Sequence, residues 1–547
     1  MPGLLFRAGM LAYAARYWLP VTRFAQAPDR IQEKVLRGIV AANRASRFGE
    51  EHRFAGVTTA RQFRDRVPVQ DYETLRGYID SQRQTGAPAL TVEPPIFYAQ
   101  TSGSTGKPKH IPITASALRL HVAEQALFTY LQFRVCPGAF SGKALGIMGA
   151  AVEGTLDTGH HVGSVSGYLY ESLPASVQSR FVLPPRISTI SDYDLKYLVI
   201  LRLALAARDI SYLGSPNPST FLRLLTVLND RRDELAHSLE TGSLAMLDAL
   251  EPDTRALVAR RLQQDSARAA ELRRTGPLTF ASLWPGIRLI TTWTGGSCGI
   301  ALDKLRDLLP REAKVMELGY QSTEFRGTIA LEEETPGGLP PLHHHFFEFV
   351  EQASWDGGNP EFLTLGQLAR GTRYYILVTT AAGLYRYFMN DLVEVTGLFG
   401  QTPLLRFVQK GRGVTSLTGE KLYETQVIQA VQDTARRHDV AAAFFLCVAN
   451  EELSSYTLFL EQDAGGAAPR FFADAVDERL GELNLEYQSK RASGRLGPLT
   501  VAWLTGGAAE AYKSACVRAG QREGQFKPVV LQYRRDLAFS LEPYVIR

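Results

Sequence analysis

Apolar positions along this chain follow two rhythms. Up to about residue 345 they recur mainly at helical spacing, interrupted by short continuous runs; beyond it they alternate or gather in brief aromatic clusters. Side chains three and four apart share a helix face, so residues 31–45, 59–66 and 72–82 are predicted as amphipathic helices. Residues 114–135 read as another helix with Thr114 as its N-cap, and 192–207 and 218–228 as two more apolar ones. Short apolar runs at 210–214, 288–293 and 314–320 read as strands, with a helix over 302–309. That alternation predicts α/β layers. From Phe346 onward, 346–350, 374–379, 385–388 and 392–395 read as strands of a small barrel or sheet. Past a basic, glycine-containing joint at 407–413 comes a βαβ-like module: helix 424–437, strands 443–448 and 456–460, helix 469–484. The expected organisation is a large N-terminal domain of residues 1–410, β-rich over 346–410, and a small mobile C-terminal α+β domain of residues 411–547.

Composition narrows the function classes. At 547 residues the chain is too long for one core, and 45% hydrophobic with 21% charged residues is ordinary for a globular protein. A net charge of +4, unclustered, argues against a nucleic-acid surface. Only 12 of the 60 basic residues are Lys, an arginine bias expected of a GC-rich genome. Cys136, Cys298, Cys447 and Cys516 lie far apart with no CxxC pair, as in a cytoplasmic protein with reduced thiols. Residues 1–20 are apolar, but Arg7 and Arg16 interrupt them and the run is too short to span a bilayer; an amphipathic helix packed on the body, and no membrane partner, is the expectation.

One loop carries candidate chemistry. Between apolar Ile96-Phe97 and Ile111-Pro-Ile113, Thr101, Ser102, Ser104 and Thr105 surround Gly103 and Gly106, followed by Lys107 and Lys109. Glycines let backbone N–H groups converge on an anion, hydroxyls add donors, and lysine adds charge, which suits nucleotide phosphates. The glycine spacing is not that of a Walker A loop.

Three later segments follow in order: Trp293-Thr-Gly-Gly-Ser297, Gly319-Tyr-Gln-Ser-Thr-Glu324 and Leu384-Tyr-Arg-Tyr-Phe-Met-Asn-Asp391. With the loop they resemble the adenylate-forming enzymes (acyl-CoA synthetase, amino-acid adenylation and luciferase-like). Within that superfamily the chain resembles the GH3 acyl acid–amido synthetases, as a bacterial-type member. The supporting traits are residues 63–72, Tyr78-Ile-Asp80, Leu283-Trp-Pro285, Phe347-Glu-Phe349, Gly383-Leu-Tyr-Arg-Tyr387 and Gly524-Gln-Phe-Lys527. Departures are Asn390, where a glycine usually precedes the ribose-binding aspartate, and Gly411-Arg-Gly413, which lacks the acidic hinge residue.

The resemblance implies an α/β adenylate-forming fold and two half-reactions: ATP and a small carboxylic acid give an acyl-AMP and pyrophosphate, then an amine, expected to be an amino acid, takes the acyl group. It implies that Thr101, Ser102, Gly103, Ser104, Thr105, Gly106 and Lys109 hold the phosphates, Glu324 holds Mg²⁺, and Thr323 donates to the α-phosphate. Tyr320 would face adenine with Gly295, Gly296 and Ser297 opposite, and Gly319, Gln321 and Ser322 complete that element. Asp391 would accept from the ribose, with Phe407 and Arg412 near the joint. Lys527 would reach the α-phosphate or acyl carboxylate. Tyr168, Tyr170, Tyr212, Leu213, Gly214 and Phe221 are expected along the acyl pocket. Transfer to a coenzyme A or carrier-protein thiol, and a regulator without catalysis, remain alternatives. His343, His344 and His345, taken as a strand entry, are expected to point to alternate faces and not to form a metal site. Residues 260–274 are expected to be a solvated helix.

Overall fold

A computed structural model describes residues 4–101, 109–295, 297–333, 335, 337–411, 413–440, 442, 444–461, 471–518, 529–537 and 539–546. The chain divides into two compact units. The larger is built from Met1–Gln100, His110–Gly295 and Leu302–Gln409; Lys410–Arg547 makes the body of the smaller, with which Lys109 and residues 297–301 group.

In the larger unit a parallel sheet runs in the order Lys143–Gly146, Ile210–Gly214, Leu289–Thr292, Lys314–Glu317, with Leu213 opposite Ile290 and Ile290 opposite Val315. Every residue of Leu289–Thr292 is buried, as expected for a strand covered on both faces. Tyr193–Ala206, capped by the Asp192 side chain, packs against this sheet. Nearly the whole of that helix is enclosed, so its apolar residues need no periodicity. Arg202 within it is fully buried and donates from Nε to Ser238 Oγ at 2.9 Å and from Nη2 to Gln263 O at 2.7 Å.

Beside it lies an antiparallel sheet in the order Phe362–Leu363, Phe346–Glu351, Arg373–Thr379, Tyr387–Phe399, Thr402–Lys410, Gly338–Leu339, Ile329–Ala330. Its inner face is aromatic, and burying each such ring stabilises the fold by about 1.5–3 kcal/mol. Two expected strands, 385–388 and 392–395, are one, Tyr387–Phe399. Asn390 interrupts its alternation with φ +51°. A third sheet pairs Lys109–Thr114, Pro95–Thr101, His161–Gly163 and Gly154–Thr155. Thr114 caps Ala115–Val135, its Oγ1 accepting from Ala117 N. The first helical stretch, Leu4–Tyr13, Ala14–Trp18 (π-helical) and Leu19–Phe24, packs aromatic side chains onto this unit: Phe6 meets Phe133, and Trp18 meets Phe399. Among the described residues no helix is long and apolar enough to cross a membrane.

The smaller unit carries the sheet Thr500–Leu504, Ser455–Glu461, Phe445–Asn450, Leu531–Tyr533, whose central pair is antiparallel and whose outer pairs are parallel. Glu424–His438 and Phe472–Leu483 pack on it around Leu458, Val427 and Val476. The second helix ends at Leu483, because Asn484 turns the chain and caps a further helix, Leu485–Ala492, accepting from Tyr487 N at 2.9 Å.

Candidate nucleotide site at the parallel strand ends

Ligands of open parallel sheets gather outside the carboxyl ends of the strands. Here Leu289–Thr292 and Lys314–Glu317 end side by side, and each continues into a segment singled out from the sequence. Glu317 joins the two. Its Oε2 accepts from Thr294 N at 2.7 Å and from the Thr294 hydroxyl, and its Oε1 accepts from Gly319 N at 3.1 Å. Trp293 Nε1 donates to Gly319 O at 3.1 Å. Burial pushes the Glu317 carboxyl above its usual range, against the hydrogen bonds it accepts.

Past Glu317 the chain forms a tight hairpin. Gly319 has φ +89°, and a Cβ there would lie 2.3 Å from Thr328 O, so only glycine fits. Tyr320 N donates to Thr328 Oγ1 at 2.8 Å, and Tyr320 O accepts from Gly327 N at 2.8 Å and Thr328 N at 3.0 Å. The turn closes where Ser322 N donates to Phe325 O at 3.0 Å, placing Thr323 and Glu324 at its tip; Glu324 is 6% exposed.

The Tyr320 ring is enclosed. One side lies on Gly327, where a Cβ would stand 2.1 Å from Tyr320 Cδ1; Phe407 stacks on the ring at 5.4 Å and 18°, and Phe325 meets it edge-on. The expectation that Tyr320 offers a bare ring face is therefore corrected: Gly327 and Phe407 take that space, and Phe407 is the more exposed ring. Gly295 lies near Phe407 as well, its Cβ position 4.0 Å from Phe407 O. The Tyr320 hydroxyl donates to Asp391 Oδ2 at 2.5 Å. Burial, then the nearby Asp391 charge, holds that phenol well above its ordinary value. Asp391 is itself fully buried and follows Asn390 in left-handed backbone, the conformation that asparagine tolerates best after glycine.

So the structure brings Gly295, Gly319, Tyr320, Asp391 and Phe407 together, with Gln321, Ser322, Thr323 and Glu324 on the hairpin. Thr101 ends one strand, Ser297 opens the helix Ser297–Arg306, and Lys109 holds its ammonium 5.5 Å over the Tyr423 ring. Ser102, Gly103, Ser104, Thr105, Gly106, Gly296, Arg412 and Lys527 lie outside the described residues.

Three expected pocket residues sit elsewhere. Phe221 is fully buried edge-on to Phe280, Leu213 is fully buried in the same core, and Tyr170 is buried with its hydroxyl donating to Leu183 O at 2.5 Å. Core packing encloses all three. Tyr168 stacks on Phe97 at 4.5 Å, and Tyr212, in the middle of its strand with its Oη beside Gly214, accepts from Gln132 Nε2 at 3.0 Å.

The histidine run is also corrected. His343, His344 and His345 occupy a turn before Phe346–Glu351, where strand alternation does not apply. His344 Nδ1 lies 2.9 Å and His345 Nε2 3.3 Å from Glu124 Oε1, and His121 Nδ1 lies 3.5 Å from Glu124 Oε2. Among the described residues no group of three or more His, Cys, Asp or Glu is arranged to hold a metal ion. Sequence reasoning passed over Glu317, Glu124 and Arg326. Glu124 left a signal: it falls at helical spacing with buried Ala117, Leu127, Phe128 and Leu131.

Known proteins match the chain throughout. The GH3 family N-terminal domain matches residues 21–314, the central domain 339–410 and the C-terminal domain 425–536. Indole-3-acetic acid-amido synthetase GH3.15 of Arabidopsis thaliana is 25% identical over 441 residues, 74% of this chain and 71% of its own. GH3.4 of the same plant is 24% identical over 538 residues, 91% of this chain and 88% of its own. The solved structure of GH3.15 acyl acid amido synthetase superposes with TM-score 0.66 at 22% identity over 96% of both chains. A 2-hydroxyisobutyryl-CoA ligase holding 2-HIB-AMP and CoA superposes with TM-score 0.56 at 14% identity, over 92% of this chain and 90% of its own. These likenesses show an adenylate-forming fold, and with all three domains matched in order the chain belongs to the GH3 family.

Proposed function

We propose that the protein joins a small carboxylic acid to an amino acid, in two steps at one site. The carboxylate attacks the α-phosphorus of ATP and pyrophosphate leaves; the amine then attacks the acyl carbon of the acyl-AMP, releasing AMP and an amide. The observation that carries this reading is the hydrogen bond between Tyr320 and Asp391, with Glu324 on the same hairpin. It joins the hairpin, with its acidic turn, to the strand that carries the buried Asp391, beside the Phe407 ring stack. The relatives' names as acid-amido synthetases support the same chemistry.

On this reading Asp391 accepts from the ribose hydroxyls, oriented by Tyr320, and Phe407 presents the ring surface for the base. Thr323 donates to the α-phosphate. The loop of Thr101, Ser102, Gly103, Ser104, Thr105 and Gly106, with Lys109, holds the β- and γ-phosphates, and Lys527 approaches the reacting carboxylate. Magnesium needs only one or two protein carboxylates beside phosphate oxygens, which Glu324 at the hairpin tip fits. Glu324 would hold the ion there, and the ion would supply positive charge to offset that of the departing pyrophosphate. No enzyme nucleophile is required.

The test is pyrophosphate release from ATP with a panel of carboxylic acids, followed by mass spectrometry of products formed with amino acids and with thiols. Amide with AMP is the expected product; thioester without amide would sink the second step, and no acid-dependent pyrophosphate the first.

A further inference from the structure

We infer that Arg326, counterbalanced by Glu124, is a positioning residue for acid activation; this rests on the Leu318–Thr328 hairpin (residues 318–328) being the nucleotide element proposed above. Arg326 is 6% exposed. Its Nη2 donates to Leu318 O at 3.1 Å, its Nε to Thr328 O at 3.4 Å, and its Nη1 to Gln125 Oε1 at 3.4 Å. Leu318 and Thr328 are the two feet of the hairpin that bears Tyr320 and Glu324. One planar guanidinium therefore spans both legs and ties them to the helix Ala115–Val135. Its face rests 4.6 Å over the Phe128 ring of the same helix.

The placement is costly. Burial pulls the Arg326 guanidinium down to about 10, and the Glu124 charge is the main influence holding it up. Glu124, 1% exposed, is pushed up by burial, but its contacts with His121, His344 and His345 outweigh this and hold it well below the usual carboxylate range. His345 in turn meets Phe325, the neighbour of Glu324, edge-on at 5.9 Å. Desolvating two ions costs several kcal/mol each, and apolar residues of equal volume usually fill such a space at least as well. What apolar residues cannot do is fix the direction of two backbone carbonyls. The pair does that, and so sets where the hairpin aims Tyr320 and Glu324.

The decisive variant is Arg326→Lys in the full-length protein. It keeps the charge opposite Glu124 but replaces the two-legged fork with one point donor. Gln125→Leu, which removes only the third contact, serves as a variant with no change of buried charge. Pyrophosphate release is measured against ATP and against the acid, alongside thermal unfolding and calorimetric AMP binding. For Arg326→Lys we expect a kcat lowered about 10- to 100-fold by misplacement of the reacting groups, while KM for the acid and the unfolding midpoint change little. Gln125→Leu is expected to lower kcat by less than about threefold, since only one long contact is lost. Wild-type kcat and KM for ATP in Arg326→Lys, or a rate loss matched by loss of folded protein, would overturn the inference alone. A wild-type protein that neither binds AMP nor releases pyrophosphate would sink the nucleotide reading and this inference with it.

Discussion

Glu124 and Glu348 are both about 1% exposed inside the larger unit, yet they are held in opposite ways. Glu348, on Phe346–Glu351, accepts from Arg64 Nε at 2.8 Å and Arg386 Nε at 3.0 Å, one guanidinium to each oxygen. Arg386 goes on to donate to Val67 O at 2.8 Å, so the triad fastens the helix Ala60–Arg66 to the antiparallel sheet. Glu124 has three imidazoles around it, with the Arg326 charge felt at longer range. Arginine keeps its charge wherever proteins survive, whereas imidazole changes protonation near neutrality. The first cluster is a fixed joint in the scaffold. The second, beside the 318–328 hairpin, gathers three imidazoles on one carboxylate.

The largest effect should come from breaking the fixed joint. Glu348→Ala leaves the buried Arg386 guanidinium and the half-buried Arg64 without their counter-charge and should cost about 3–5 kcal/mol in denaturant unfolding. A loss below about 1 kcal/mol, the range of exposed pairs, would erase the contrast. A third buried carboxylate sharpens it from the side of chemistry. Glu324→Gln should leave unfolding nearly unchanged but lower the rate of pyrophosphate release about 100-fold, in the range found for losing one group that stabilises transition-state charge. Unaltered turnover would remove Glu324 from the magnesium role.

Glu124→Gln should come next, at about 2 kcal/mol, through weakened hydrogen bonds to a charged group. Its pH dependence separates it from Glu348→Ala. Burial holds His343, at about 3, and His345 below the ordinary 6.5 in the folded protein, so the unfolded chain binds protons first as pH falls below that value. Glu124 is likewise held below its ordinary 4.5, so its own contribution is complete above that pH and is lost as pH drops further. Stability should therefore fall on acidification in two stages, and Glu124→Gln should flatten the lower one. Equal slopes in mutant and wild type below pH 4.5 would remove the charge from Glu124. The smallest change is expected from Tyr320→Phe. Losing one hydrogen bond to Asp391, about 1.5 kcal/mol, should raise KM for ATP roughly tenfold with little effect on unfolding; an unchanged KM would detach Tyr320 from nucleotide binding.

Much of the fold was legible where a local rule governs. Thr114 and Asp192 cap helices because their side chains accept from the third following N–H, a signal written within four residues. The buried strand at Leu289–Thr292 and the aromatic strands after Phe346 were readable as apolar runs. The order of motifs also led to Tyr320 and Asp391, 71 positions apart, which share a hydrogen bond. What escaped depends on distant partners. Residues 260–274 looked solvated, yet Arg268 in Ser266–Leu272 is 2% exposed because Leu205 O, Leu283 O and the Trp284 ring receive it. Phe221 looked available to a substrate and is closed off by Phe280. Glu124 and Arg326 stand 202 positions apart, and nothing in either neighbourhood announces the other.

Asn390 carries a last consequence. Its φ of +51° lies where most side chains clash with their own backbone, and it supplies the bend that turns Asp391 inward. What the fold constrains at this position is thus a backbone angle rather than a residue type. Glycine and asparagine both reach that angle readily, so either can stand before a buried aspartate here without altering its direction.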